Sequence, residues 1–217
     1  MAFSSFGDWL GLLATTALAQ ELSNGDYKKA NFAIAGVFIV RLLPAVILGP
    51  IAGVIADRFD RRRLMILCDI IRFGLYLSIP LVHNYLWLYT ATVLVEAVTL
   101  FWSPAKEASV PNLVPKNKLE NANQVTLLAS YGTAPIAAIA FSLLALLGGG
   151  ITRIFSARYA STANLALYLD AISFLYCAFI VYTLKEIPKG SSSEKVAQDG
   201  IAKSLLEGFK SVNQSKV

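Results

Sequence analysis

Six stretches of this chain are long and apolar enough to cross a lipid bilayer, and that constrains its fold more than any other feature. They are Met1–Leu22, Phe32–Ala56, Leu64–Val82, Tyr85–Trp102, Gln124–Leu147 and Asn164–Leu184. A helix needs about 20 mostly apolar residues to span the hydrocarbon core. Backbone groups in lipid find no water, so each stretch must close its own hydrogen bonds as a helix. Composition agrees: 56% of the 217 residues are hydrophobic and 15% charged, where a soluble domain carries roughly a quarter charged. The expected fold is an all-α membrane protein of six transmembrane helices. The bundle fills residues 1–184, and 185–217 form a polar tail. The first stretch lacks the charged n-region and cleavage site of a signal peptide, so it reads as a span, and its abrupt start implies residues upstream.

Lysine and arginine set the orientation. With the N-terminus inside, the inner segments hold Arg58, Arg61, Arg62, Arg63, Lys106, Lys116, Lys118, Lys185, Lys189, Lys195, Lys203, Lys210 and Lys216. The outer loops hold only Lys28, Lys29, Arg153 and Arg158. Both termini are therefore expected in the cytoplasm. The net charge of +5 does not point to nucleic acid, because the basic residues sit in short clusters between apolar runs. In the tail, 189–194 reads as a flexible linker. Ile201, Leu205, Leu206, Phe209 and Val212 then recur at helical spacing, which predicts an amphipathic helix packed under the bundle or on the lipid surface.

Metal and catalytic chemistry find little material. Cys68 and Cys177 lie in separate apolar runs and read as packing residues. His83 is the one histidine and falls in a loop, which argues against zinc, a Ser-His-Asp site or an intramembrane protease. No metal, cofactor or catalytic residue is expected.

Between the second and third stretches runs Gly49-Pro-Ile-Ala-Gly53-Val-Ile-Ala-Asp57-Arg58-Phe-Asp60-Arg61-Arg62-Arg63. Gly53 permits close helix approach. Asp57 ends the span at the membrane face, and the tight basic loop can engage a charge or a helix dipole. An ordinary positive-inside loop would account for the arginines but not for Gly53 and Asp57 at these spacings. The segment resembles the signature loop of the major facilitator superfamily, G-x-x-x-D-R-x-G-R-R. Gly53, Asp57, Arg58, Arg61 and Arg62 match, and Asp60 stands where that pattern has glycine. Ser4 to Trp9, Cys68-Asp69 with Arg72, the run from Ser103 to Pro115 with Leu119, Ala122 and Asn123, and Leu206 to Lys210 resemble the enterobactin-exporter and macrolide-efflux branch. An exporter motif in the fifth span is only partly kept: Ser130, Ala134, Pro135 and Ala138 occupy its places, with the proline retained and the glycines replaced.

This resemblance implies the N-terminal half of a two-half transporter in a bacterial inner membrane. Its expected partners are the lipid bilayer, a small-molecule substrate and a second, C-terminal half beyond Val217. The implied function is secondary active export of a small amphipathic molecule, drug or siderophore-like, by alternating access, with Gly53, Asp57, Arg58, Arg61 and Arg62 as a cytoplasmic latch. The alternative is a six-span protein that does not transport or that pairs with itself.

Ionisable residues inside spans are costly and are functional candidates by default. Asp8, Arg41 and Glu96 fall nearest the midplane, Asp69 and Arg72 nearer the inner face, and Asp170 in the outer third. Asp69 and Arg72 are three apart on one helix and can pair on one face, a structural ion pair. Arg41 has two acids at suitable depth, Asp8 and Glu96. One acid is then left over and is expected to carry a proton, and the two choices stay open. Trp9, Tyr76, Tyr89, Phe101, Trp102 and Tyr131 either line the path or pack the helices.

Overall fold

The computed structural model describes residues 2–56, 59–151 and 161–184. Among them are seven α-helices and one short 3-10 turn: α1 (Ala2–Glu21), α2 (Tyr27–Ala56), α3 (Arg61–Val82), α4 (Tyr85–Leu113), the turn Lys116–Lys118, α5 (Leu119–Tyr131), α6 (Thr133–Ile151) and α7 (Thr162–Thr183). Five segments have the length and hydropathy of membrane spans: Tyr27–Gly49, Arg61–Val82, Tyr85–Ser109, Leu119–Leu147 and Thr162–Thr183. α1, which covers the expected first span and carries Ser4, Ser5, Asp8, Thr15 and Thr16, is not among these five, and it lies at the centre. It packs against α2, α6 and α7 and touches α4 and α5. Leu10, Ala14, Leu18 and Ala19 on it are fully buried. The outer helices show large apolar residues outward instead, such as Phe32, Val46, Leu128 and Leu146. In water that surface would be a liability. In lipid it is the expected exterior.

Helix ends follow local chemistry. Asp60 lies in extended conformation at the N-cap of α3, and its carboxylate accepts from the Arg63 amide. An aspartate at an N-cap satisfies an orphan N–H that a glycine leaves open, which accounts for the departure from the signature pattern. His83 closes α3 in the left-handed region at φ 51°, and Asn84 caps α4 through the Leu86 amide. Ser161 does the same for α7 at the Asn164 amide. α4 runs eleven residues beyond the expected end at Trp102, because Pro104 and Pro111 do not break it among the described residues.

The fifth apolar stretch is one span in two pieces. α5 stops at Tyr131, and α6 starts at Thr133. Pro135 has no N–H to offer the carbonyl of Tyr131, so the ladder loosens there. Gly132 fits the tightened turn, since a Cβ at that position would lie 2.5 Å from the Leu128 carbonyl oxygen. The indole of Trp9 on α1 donates to the Ser130 carbonyl at 2.8 Å and fastens the break to the central helix. The linker at 189–194, the amphipathic segment at 201–212, Asp57 and Arg58 lie outside the described residues.

Candidate functional site

Two groups of buried charge meet inside the bundle. The first centres on Arg72 of α3, whose side chain is fully buried. Nη2 donates to Asp69 Oδ1 one turn earlier at 2.8 Å. Nη1 lies 3.6 Å from Asp8 Oδ1 on α1. Trp102 of α4 closes the network by donating Nε1–H to Asp69 Oδ2 at 3.3 Å. The guanidinium also faces two rings, Trp102 at 4.7 Å and Phe174 of α7 at 4.4 Å. A weakly hydrated planar cation can stack in this way where an ammonium cannot. Four helices thus converge on one arginine.

The second group is simpler. Arg41 of α2 meets Glu96 of α4 at 2.7 Å, with side chains 17% and 20% exposed. The structure therefore gives Arg41 to Glu96, while Asp8 goes to Arg72. The pair Asp69–Arg72, legible from their spacing, is present at hydrogen-bond distance. Asp170 of α7, expected in the outer third, lies fully buried against α1. No sequence signal announced this. Only the glycines at 7 and 11, four apart on one face of α1, mark where another side chain can lie flush against that helix.

Arg61 and Arg62 of the signature loop turn inward. Arg61 donates to the Ala108 carbonyl of α4 at 2.9 Å. Arg62 donates to the carbonyls of Val181 and Tyr182 at the end of α7 and lies over the Tyr182 ring. The Val181 and Tyr182 carbonyls at the C-terminus of α7 lack intrahelical donors and carry partial negative charge, so Arg62 braces that helix end, while Arg61 ties α3 to α4. Beside them, a cavity of about 100 Å³ is lined by Phe3, Ser4, Met65, Trp102, Lys106 and Cys177, among others.

Most of the candidate aromatic residues are occupied in packing. Tyr76 stacks on Phe174 with ring centres 5.6 Å apart. Tyr89 donates to the Ala33 carbonyl at 3.2 Å, Trp9 to Ser130, and Trp102 holds Asp69. Phe101 packs against the small cluster of Met65, Cys68, Trp102 and Ala105. Tyr131 is exposed on the outside.

A bundle with an apolar exterior and paired charges at its axis belongs to the class of polytopic membrane proteins that handle polar groups within the bilayer. The model of the Major Facilitator Superfamily matches residues 1–217, and the chain belongs to that family. It is similar to the uncharacterized MFS-type transporter YfiS of Bacillus subtilis, with 29% identity over 83% of this chain and 39% of that protein. It is also similar to the putative bacilysin exporter BacE of Bacillus amyloliquefaciens, 27% identical over 97% of this chain and 48% of that protein. Macrolide efflux protein A of Enterococcus faecalis is 23% identical over 84% of this chain and 54% of that protein. The chain spans about half or less of the length of these relatives. No solved structure matches it. The protein is a multi-pass integral protein of the cell's inner (plasma) membrane, and its relatives include a putative exporter and an efflux protein.

Proposed function

We propose that this chain is the N-terminal six-helix half of a secondary active exporter that moves a small amphipathic molecule by alternating access, coupled to protons. Both ends lie in the cytoplasm in this reading. The observation that carries it is the charge chain at the bundle axis. Such groups cost several kcal/mol in a membrane and are functional candidates by default. Asp8 and the Arg41–Glu96 pair keep partial exposure and form the polar track of the substrate path, facing the second half. Around Arg72 and Asp69, which have none, α3, α4 and α7 are fastened as one rocking body, to which α1 is joined through the partly exposed Asp8. Gly53, Asp57 and Arg58 engage the second half at the cytoplasmic face, and behind them Arg61 ties α3 to α4 and Arg62 braces the end of α7. The names of BacE and macrolide efflux protein A support an antibiotic-like cargo.

Expression of the complete reading frame in an efflux-deficient bacterium tests this. Intracellular accumulation of a labelled macrolide and of bacilysin is measured with and without a protonophore. Lowered accumulation of either probe, restored by the protonophore, is the expected result. Accumulation of both that matches the empty-vector control, with the protein present in the membrane, rejects the reading.

A further inference from the structure

The acids of the two charge groups are all engaged. Asp69 has Arg72 and Trp102, Asp8 has Arg72, and Glu96 has Arg41. The acid left over is Asp170. It is fully buried on α7, and its Oδ1 has one contact, Ser173 Oγ at 3.4 Å. That hydroxyl is also committed to the Asp170 carbonyl at 2.8 Å. Oδ2 has no hydrogen-bond partner. No Lys or Arg stands within ion-pair distance of Asp170 among the described residues.

The reason the carboxyl fits is the bare backbone of α1. A Cβ on Gly7 would lie 2.5 Å from Asp170 Oδ1 and 2.6 Å from Ser173 Oγ. A Cβ on Gly11 would collide with Oδ2 and lie 2.7 Å from the Tyr76 hydroxyl. Asp170 therefore presses directly on the helix that carries Asp8, and small slides of α1 against α7 change its surroundings. The charged and titratable groups acting on it are Asp8 from α1, Arg72 and Tyr76 from α3, and Arg41 from α2. α6 contributes no titratable side chain.

We infer that Asp170, rather than Asp8 or Glu96, takes up and releases the coupled proton, and that its seating against Gly7 and Gly11 links that event to movement of α1. A buried carboxylate with no partner is expensive, while the protonated acid is neutral and needs only one acceptor. A proton bound at Oδ2 leaves Arg72 wholly to Asp69 and Asp8. Its loss creates a second carboxylate beside Asp8, which draws Arg72 or Arg41 toward α7 and shifts the helices. This inference rests on the proton-coupled reading above.

The test uses the protein from its complete reading frame, reconstituted in lipid vesicles. Infrared difference spectra across a pH step should show a protonated-carboxyl band slow to exchange with deuterium. Asp170→Asn should lose that band, whereas Asp8→Asn and Glu96→Gln should keep it. Macrolide flux driven by a pH gradient should fall to background in Asp170→Asn. Persistence of the band in Asp170→Asn, or its loss in Asp8→Asn or Glu96→Gln, overturns the inference. Should Asp170→Asn yield no folded protein, the other two spectra decide by the same rule. Gradient-driven flux that survives in Asp170→Asn rejects this inference alone. Absence of gradient-driven flux of any probe in the unmodified protein rejects the transport reading and this inference with it.

Discussion

Arg72 and Arg41 both lie well inside their helices, and their surroundings differ in kind. Arg72 is fully buried and holds groups from α1, α3, α4 and α7, two of them aromatic rings. Arg41 keeps 17% exposure and meets one acid on one neighbouring helix. The first arrangement is over-determined: Arg72 itself cannot leave its seat without breaking several contacts at once. The second is a lone, partly exposed contact, where a rearranged helix can replace one partner. The proposed transport cycle uses both, a cation that keeps its helices together and a polar contact that exchanges partners.

The sharpest way to break this comparison is Arg72→Met. It leaves Asp69 buried without its cation, and removing one partner of a buried pair costs about 3–5 kcal/mol. Thermal unfolding in detergent should show a large loss of stability or no folded protein, and a stability near that of the unmodified chain would end the keystone argument. Asp69→Asn is milder, because the amide can still accept from Arg72 and the Asp8 carboxylate remains. A loss of about 2 kcal/mol is expected from the weakened charge-assisted bond, read from the same unfolding curves.

Glu96→Gln sharpens the comparison from the other side. A partly exposed ion pair contributes only about 1 kcal/mol or less, so stability should hold while probe export falls strongly. A stability loss equal to that of Arg72→Met would erase the distinction between the two arginines. Trp9→Phe removes the bond to the Ser130 carbonyl at the break between α5 and α6. A single such bond is worth about 1 kcal/mol, and hydrogen exchange should quicken at 128–135.

The smallest effect concerns a loop outside the spans. Asp26 at the start of α2 accepts from the amides of Lys29 and Lys28. The backbone bond from Lys29 is the main cause that holds its carboxyl below the ordinary value, and the nearby lysine charge adds to it. A depressed value means that the cap is fully present above the ordinary carboxylate range and is lost as pH falls through the lowered one. Amide exchange at 27–30, corrected for its intrinsic pH dependence, should therefore speed up in acid. In Asp26→Asn the corrected exchange should not change with pH in that range.

The sequence by itself determined the helical class, the approximate extent of the apolar segments, the family and the pairing of Asp69 with Arg72. Each rests on physics that acts along the chain: lipid forces each stretch to satisfy its own backbone, and residues three apart on a helix share a face. The tertiary structure alone decided that Glu96 and not Asp8 reaches Arg41, that Arg72 sits between Trp102 and Phe174, and that Asp170 lies against Gly7 and Gly11. It also decided that Arg61 and Arg62 point into their own bundle. These contacts join helices far apart in sequence, and their distances depend on how the helices rotate and slide when they pack. A residue's depth along one span does not encode the rotation of its neighbour, so the sequence could list the charges without saying which of them meet.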